Sequence, residues 1–270
     1  MTDVDRGSTS SGSSRALTFL PALAMVVTVF GILVGNGVIL ESGGVGDGDS
    51  IADTATFIAP AGPAFSIWSL IYAFLVAYVV WQALPAGAGS ARARGILWPA
   101  VASLVLNAAW ILVVEQLESA WGSVVVMLLL LGSLIAVHRV LKATPPESTV
   151  ERWVVDIGFG LYLGWVNVAT AANITFALVL AGVDPPRDVA VPIAVVVVLL
   201  LVGVAALKLP RVSEPLAVGA AMSWGLAWIC VGRLSTAPES VVVAVAAAVA
   251  ALLTVGLALR TAARAPSMAR

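Results

Sequence analysis

The sequence predicts an all-α fold, a polytopic transmembrane helix bundle of about eight spans, on three observations. The 270 residues are 60% hydrophobic and 11% charged, with a mean hydropathy of +1.04, whereas a soluble domain is roughly 45–50% apolar and 25% charged. Breaks at Pro, Gly and charge clusters leave eight apolar runs, 16–40, 64–84, 95–114, 119–141, 153–181, 189–207, 215–232 and 239–260. Each approaches or exceeds the ~20 residues a helix needs to cross hydrocarbon. With eight spans, 12 of the 14 Lys and Arg fall on one side (Arg6, Arg15, Arg92, Arg94, Arg139, Lys142, Arg152, Lys208, Arg211, Arg260, Arg264, Arg270), and only Arg187 and Arg233 fall on the other. Basic residues collect in cytoplasmic loops, so both termini are expected in the cytoplasm. A missing or extra span would scramble that partition.

The elements follow in order. Residues 1–15 form a polar, Ser-rich tail. The apolar run after Arg15 exceeds the roughly 7–15 residues of a signal peptide, so 16–40 reads as a retained first helix. The first external loop, 41–63, has Glu41, Asp47, Asp49 and Asp53 but no Lys or Arg, and Pro60 and Pro63 stiffen its return to the membrane. Spans are helical because hydrocarbon offers the backbone no hydrogen-bond partner, and the Ala/Val/Leu/Gly content lacks the alternation of a barrel. Gly31/Gly35 and Gly160/Gly164 have the spacing that lets helix backbones approach. Runs 189–207 and 239–260 are plain Val, Ala and Leu and read as lipid-facing; 215–232 is the shortest.

Composition also excludes functions. A net charge of −1 supplies no basic field for nucleic acid. One cysteine, Cys230, and one histidine, His138, do not suffice for a disulfide, a zinc site or a di-iron centre. No metal and no resident cofactor are expected, and no Ser/His/Asp set, P-loop or GxGxxG marks a conventional active site. His138 reads as a helix-end residue beside Arg139 and Lys142, Asp156 as the partner of Arg152 at the start of the fifth helix, and Glu115 and Glu118 as solvated turn residues.

Nine tryptophans carry most of the remaining information. Trp81, Trp98, Trp121 and Trp153 lie at helix ends and read as interfacial belt residues, whereas Trp68, Trp110, Trp165, Trp224 and Trp228 lie deeper and require packing or a ligand. LNAAW at 106–110 puts Asn107 and Trp110 on one face of the third helix. Trp165, Ala169, Ala172, Asn173 and Phe176 form one stripe on the fifth, with Asn167 and Thr170 as a second polar line beside it. Two readings stand: the amides bond between helices and hold the bundle, or they join the indoles in a flat apolar slot under the first loop, suited to a planar aromatic ligand.

These residues resemble the TspO/MBR family (translocator protein, tryptophan-rich sensory protein). PAGPAFSIWSLIY at 60–72 resembles its proline-rich loop and second-helix opening, LNAAW its third-helix motif, and LYLGWVNVATAAN at 161–173 its fifth-helix pattern. The resemblance implies a five-helix domain at 16–182, with 183–270 as an additional three-helix region and basic tail. It implies a membrane binding or sensory protein for hydrophobic planar ligands, porphyrins above all and sterols or lipid-like molecules among them. The ligand-binding residues by position are Trp68, Asn107, Trp110, Trp165, Ala169 and Asn173. Two alternatives accompany it: transport of such molecules, and light- and oxygen-dependent tetrapyrrole breakdown with Trp68 and Trp165 as redox partners. The implied location is a bacterial plasma membrane. Departures are Gly160-Leu161 before Tyr162, where many relatives carry a proline, and the three extra helices, which leave homodimerisation open.

Overall fold

A computed structural model describes residues 19–35, 56–115, 117 and 119–264, with the side chains of 30–35 and 115 outside the description. The described residues are almost entirely helical. The principal helices are α1 (Leu20–Gly35), α2 (Ile67–Ala83), α3 (Ala91–Glu115), α4 (Ala120–Ala143), α5 (Gly158–Leu180), α6 (Arg187–Lys208), α7 (Pro215–Ser235) and α8 (Val241–Arg264). A 3-10 turn, Gly62–Ser66, leads into α2, and a π-helical turn, Arg152–Ile157, leads into α5. Counting those lead-in turns, α2 to α8 are long and apolar enough to span a bilayer; α1 is described over 16 residues, just under one span. Of the loop 41–63, Glu41, Asp47, Asp49 and Asp53 lie outside the described residues, as do Glu118, the side chain of Glu115 and the packing of Gly31/Gly35.

Helices α1, α2, α5, α4 and α3 pack in that order into a ring, with α3 closing back on α1. The remaining three form a layer on α5: α7 lies against it, α8 against α7, and α6 against α8. Small residues set the α5–α7 approach. A Cβ on Gly160 would stand 2.8 Å from the Ala217 Cβ, and one on Gly164 would stand 2.3 Å from the Val218 carbonyl oxygen. Gly160/Gly164 is thus a contact motif, and its partner is an additional helix. On the outer sides of α6 and α8, Leu199, Leu200, Leu252 and Leu253 are exposed, an apolar surface that suits lipid.

At the end of the bundle away from residues 56–66, a buried ion pair ties α3 to the start of α5. Arg92 donates to both carboxylate oxygens of Asp156, at 2.8 and 2.5 Å, and to the Thr144 and Leu141 carbonyls at 2.6 and 3.2 Å. Its fork therefore also satisfies the C-terminal carbonyls of α4, which a helix leaves without internal donors. Arg152, expected to pair with Asp156, instead pairs with Glu214 at 2.8 Å. The π turn adds a residue to the helical winding, so a four-residue spacing no longer stacks side chains.

Three further expectations change. Trp98, Trp121 and Trp153 are exposed, as belt residues would be, but Trp81 is buried. The chain turns back over it: Leu84 N–H donates to its carbonyl, and Gly87 packs on its backbone. His138 is buried between α4 and α5, where its Nε2–H donates to the Phe159 carbonyl at 3.1 Å. The donor is set by the partner, since a carbonyl only accepts. Lys208, counted among loop charges, reaches the Asn167 side-chain oxygen at 2.6 Å. The second polar line of α5 therefore serves α6 and its own backbone, through Asn167 to Leu163 and Thr170 to Val166.

Candidate functional site

The loop end of the ring encloses an apolar cavity. Its wall is made by Thr56, Ala59, Pro60, Phe65, Trp68, Trp110, Met127, Trp165, Ala169, Ala172, Asn173 and Phe176, around a space of about 40 Å³. That volume is well under the ~300–1,000 Å³ of small-molecule sites, so a planar ligand enters only by parting the aromatic wall. The whole α5 stripe of Trp165, Ala169, Ala172, Asn173 and Phe176 faces it. Their spacings of 4, 3, 1 and 3 keep them on one helical face, and the two alanines leave room between the rings.

The aromatic side chains brace one another edge to face. Trp68 and Trp165 have ring centroids 6.4 Å apart at 81°, Phe65 meets Trp165 at 5.5 Å and 79°, and Tyr162 meets Trp68 at 5.7 Å. Tyr72 stacks on Trp68 at 5.2 Å and 18°. Such arrangements follow the ring quadrupole, each contributing about 0.5–1.5 kcal/mol beyond area burial. The indole N–H groups of Trp110 and Trp165 are buried without a protein acceptor. Two donors in an apolar wall suit a ligand with acceptor atoms, because a buried unpaired donor costs about 1–3 kcal/mol.

Five of the six residues expected to bind ligand, Trp68, Trp110, Trp165, Ala169 and Asn173, line this cavity; Asn107 does not. It is fully buried behind the wall, its Nδ2 donating to the Tyr72 hydroxyl at 3.0 Å. It therefore supports the ring stacked on Trp68. Asn173 lines the cavity and also bonds Ser123 of α4, Nδ2 to Oγ at 3.1 Å. The two readings of the amides thus divide: Asn107 holds helices together, and Asn173 does so from the wall.

Sequence reasoning missed Phe65, Met127 and Thr56. Phe65 stands three residues before Trp68, a helical spacing visible in PAGPAFSIW. Met127 sits in a featureless Val/Leu run with no signal.

Trp224 and Trp228, left over as unexplained, grip the cavity's loop from α7. The Trp224 Nε1–H donates to the Ala64 carbonyl at 2.9 Å, and Ala61 N–H donates to the Trp228 carbonyl at 3.1 Å. Gly232 lets the loop lie close, since a Cβ there would stand 3.2 Å from the Ala61 nitrogen. Replacing Trp224 with Phe removes one hydrogen bond, about 0.5–1.5 kcal/mol of local stability. Amide exchange across 61–66, measured by mass spectrometry, is expected to accelerate about two- to tenfold, with exchange in α4 unchanged.

A family model described as TSPO-like protein matches residues 18–259. The match continues through α6, α7 and α8, well past the motifs that carry the resemblance. No curated protein and no solved structure matches the chain.

Proposed function

Because the chain belongs to the TSPO-like family and is an integral, multi-pass membrane protein, we propose that it binds a hydrophobic planar ligand of the tetrapyrrole class in the cavity under residues 56–66. The observation that carries this reading is the joining of three indoles, Trp68, Trp110 and Trp165, with Phe65 and Phe176 around one apolar space that has two uncommitted N–H donors. Ring faces favour a flat conjugated molecule, and the donors favour one with carboxylate or carbonyl acceptors at its edge. The 12-to-2 partition of Lys and Arg supports an orientation with both termini cytoplasmic and the cavity toward the outer side.

The test is tryptophan-fluorescence quenching by protoporphyrin IX in the dark, with purified protein in detergent and empty micelles as the blank. Wild type is expected to show saturable quenching. Trp68→Phe/Trp165→Phe loses ring area and one donor, about 1–3 kcal/mol in all, so its Kd is expected to rise about ten- to a hundredfold. Wild-type quenching no different from micelle partitioning would remove tetrapyrrole binding as the function.

A further inference from the structure

A second, larger cavity of about 530 Å³ lies behind the first, between α5 and α6. Its α6 wall is Ala190, Ile193, Ala194 and Val197, at spacings of 3, 1 and 3 that make one helical face, and Leu178 and Val179 of α5 stand opposite. This gap exists because α6 packs chiefly on α8 and touches α5 sparsely. Ile193, Val179 and Val183 are exposed on its sides, so it opens toward the surface that bears the exposed leucines.

The two cavities share a wall. Thr56 lines both, while Phe176 lines the inner cavity and its neighbour Thr175 lines the outer one. The partition is closed by a contact of 3.5 Å between the Thr56 and Thr175 hydroxyls. That contact is at the limit of a hydrogen bond, and Thr175 already donates to its own helix at the Ala172 carbonyl, 2.9 Å away. Parting the two threonines therefore leaves Thr175 satisfied and costs only the one marginal contact of the Thr56 hydroxyl. At the mouth, the Arg187 guanidinium lies 5.5 Å from the Phe57 ring centroid and donates to the Glu239 carbonyl. Among the described residues it is the one basic residue lining this cavity, with Asp184 as the one acidic residue.

We propose that this outer cavity is a membrane-side binding site for a hydrophobic planar molecule with an acidic edge, and the lateral route by which that ligand passes from the bilayer into the inner cavity through the Thr56–Thr175 partition. The proposal rests on the reading of the inner cavity given above. A ligand dissolved in lipid meets the exposed apolar walls first, sheds no water in entering them, and presents its acidic edge to Arg187 at the mouth.

The experiment uses the full chain in phosphatidylcholine nanodiscs and follows protoporphyrin IX quenching by stopped flow. Ala194→Phe fills the outer cavity without touching the inner wall. It is expected to remove the membrane-side site and to slow association and dissociation at the inner cavity together, about tenfold each, so that the inner-cavity Kd stays within twofold of wild type. Thr175→Ala loosens the partition and is expected to raise both rates severalfold at constant Kd. A pathway residue moves both rates together, whereas a merely structural one changes Kd or neither. If wild type binds and both variants keep wild-type rates, the route is wrong. A second measurement is independent of porphyrin: an aryl diazirine dissolved in the bilayer is photolysed and its adducts mapped. Labelling at Ile58 and Thr175 that Ala194→Phe abolishes is expected; adducts confined to Leu199 and Leu200 would mean that only bilayer lipid occupies the groove. Labelling at Ile58 with no saturable porphyrin binding would sink the inner-cavity reading and the route while leaving the membrane-side site.

Discussion

Replacing Gly164 with leucine is expected to break the seam between α5 and α7 and destabilise the protein by about 3 kcal/mol, at the upper end of overpacking costs. A Cβ at this position would fall 2.3 Å from the Val218 carbonyl oxygen and 2.8 Å from the Ala221 Cβ. The nearest atom is backbone on a packed helix, so no rotamer change relieves the clash and α7 must move away. Movement of α7 would also carry off the Trp224 and Trp228 contacts to the loop. Porphyrin affinity is therefore expected to fall together with stability. Gly203→Ala is the control: a Cβ there meets nothing within 4 Å, and alanine in a helix is favoured over glycine by about 1 kcal/mol. Unfolding in a denaturing-detergent titration checks both. A Gly164→Leu midpoint equal to wild type would mean that the α5–α7 contact contributes little.

Asp156→Ala is expected to cost about 3–5 kcal/mol, the loss typical when one member of a buried ion pair is removed. Arg92 and Asp156 are each buried, with two hydrogen bonds between them. In the variant the nearest remaining carboxylate is Glu151, 3.7 Å from the Arg92 Nη1 and already accepting from Ser90 and the Glu147 N–H. The double variant Arg92→Met/Asp156→Leu is expected to recover most of the loss, because removing both charges also removes their desolvation cost. The same unfolding titration, run as a double-mutant cycle, checks the coupling. A loss in the double variant equal to the sum of the two single losses would show that the pair contributes no coupling of its own.

The α5 stripe was legible because its information is local. Helical spacing places Trp165, Ala169, Ala172, Asn173 and Phe176 on one face whatever lies opposite. Trp68 and Trp110 joined them through motif and depth. Asn107 misled for the same reason, since it shares a face with Trp110 yet sits one layer behind the cavity, bonded to Tyr72. Spacing along one helix says nothing about which neighbouring side chain claims a polar group first. Asp156 was misassigned because the π turn changes the winding that the expected pairing with Arg152 assumed.

The sequence by itself determined the all-α membrane architecture, the number and order of helices and the family, because hydrophobic run length, charge and short motifs are properties of the chain read one segment at a time. Tertiary structure alone decided what α6, α7 and α8 do. Gly160 and Gly164 could have met any helix, and Trp224 and Trp228 any loop. Which surfaces meet depends on packing between segments more than 50 residues apart, summed over many weak contacts. No local pattern encodes that sum, so neither the grip of α7 on the cavity's loop nor the second cavity beside α5 could be read before the helices were brought together.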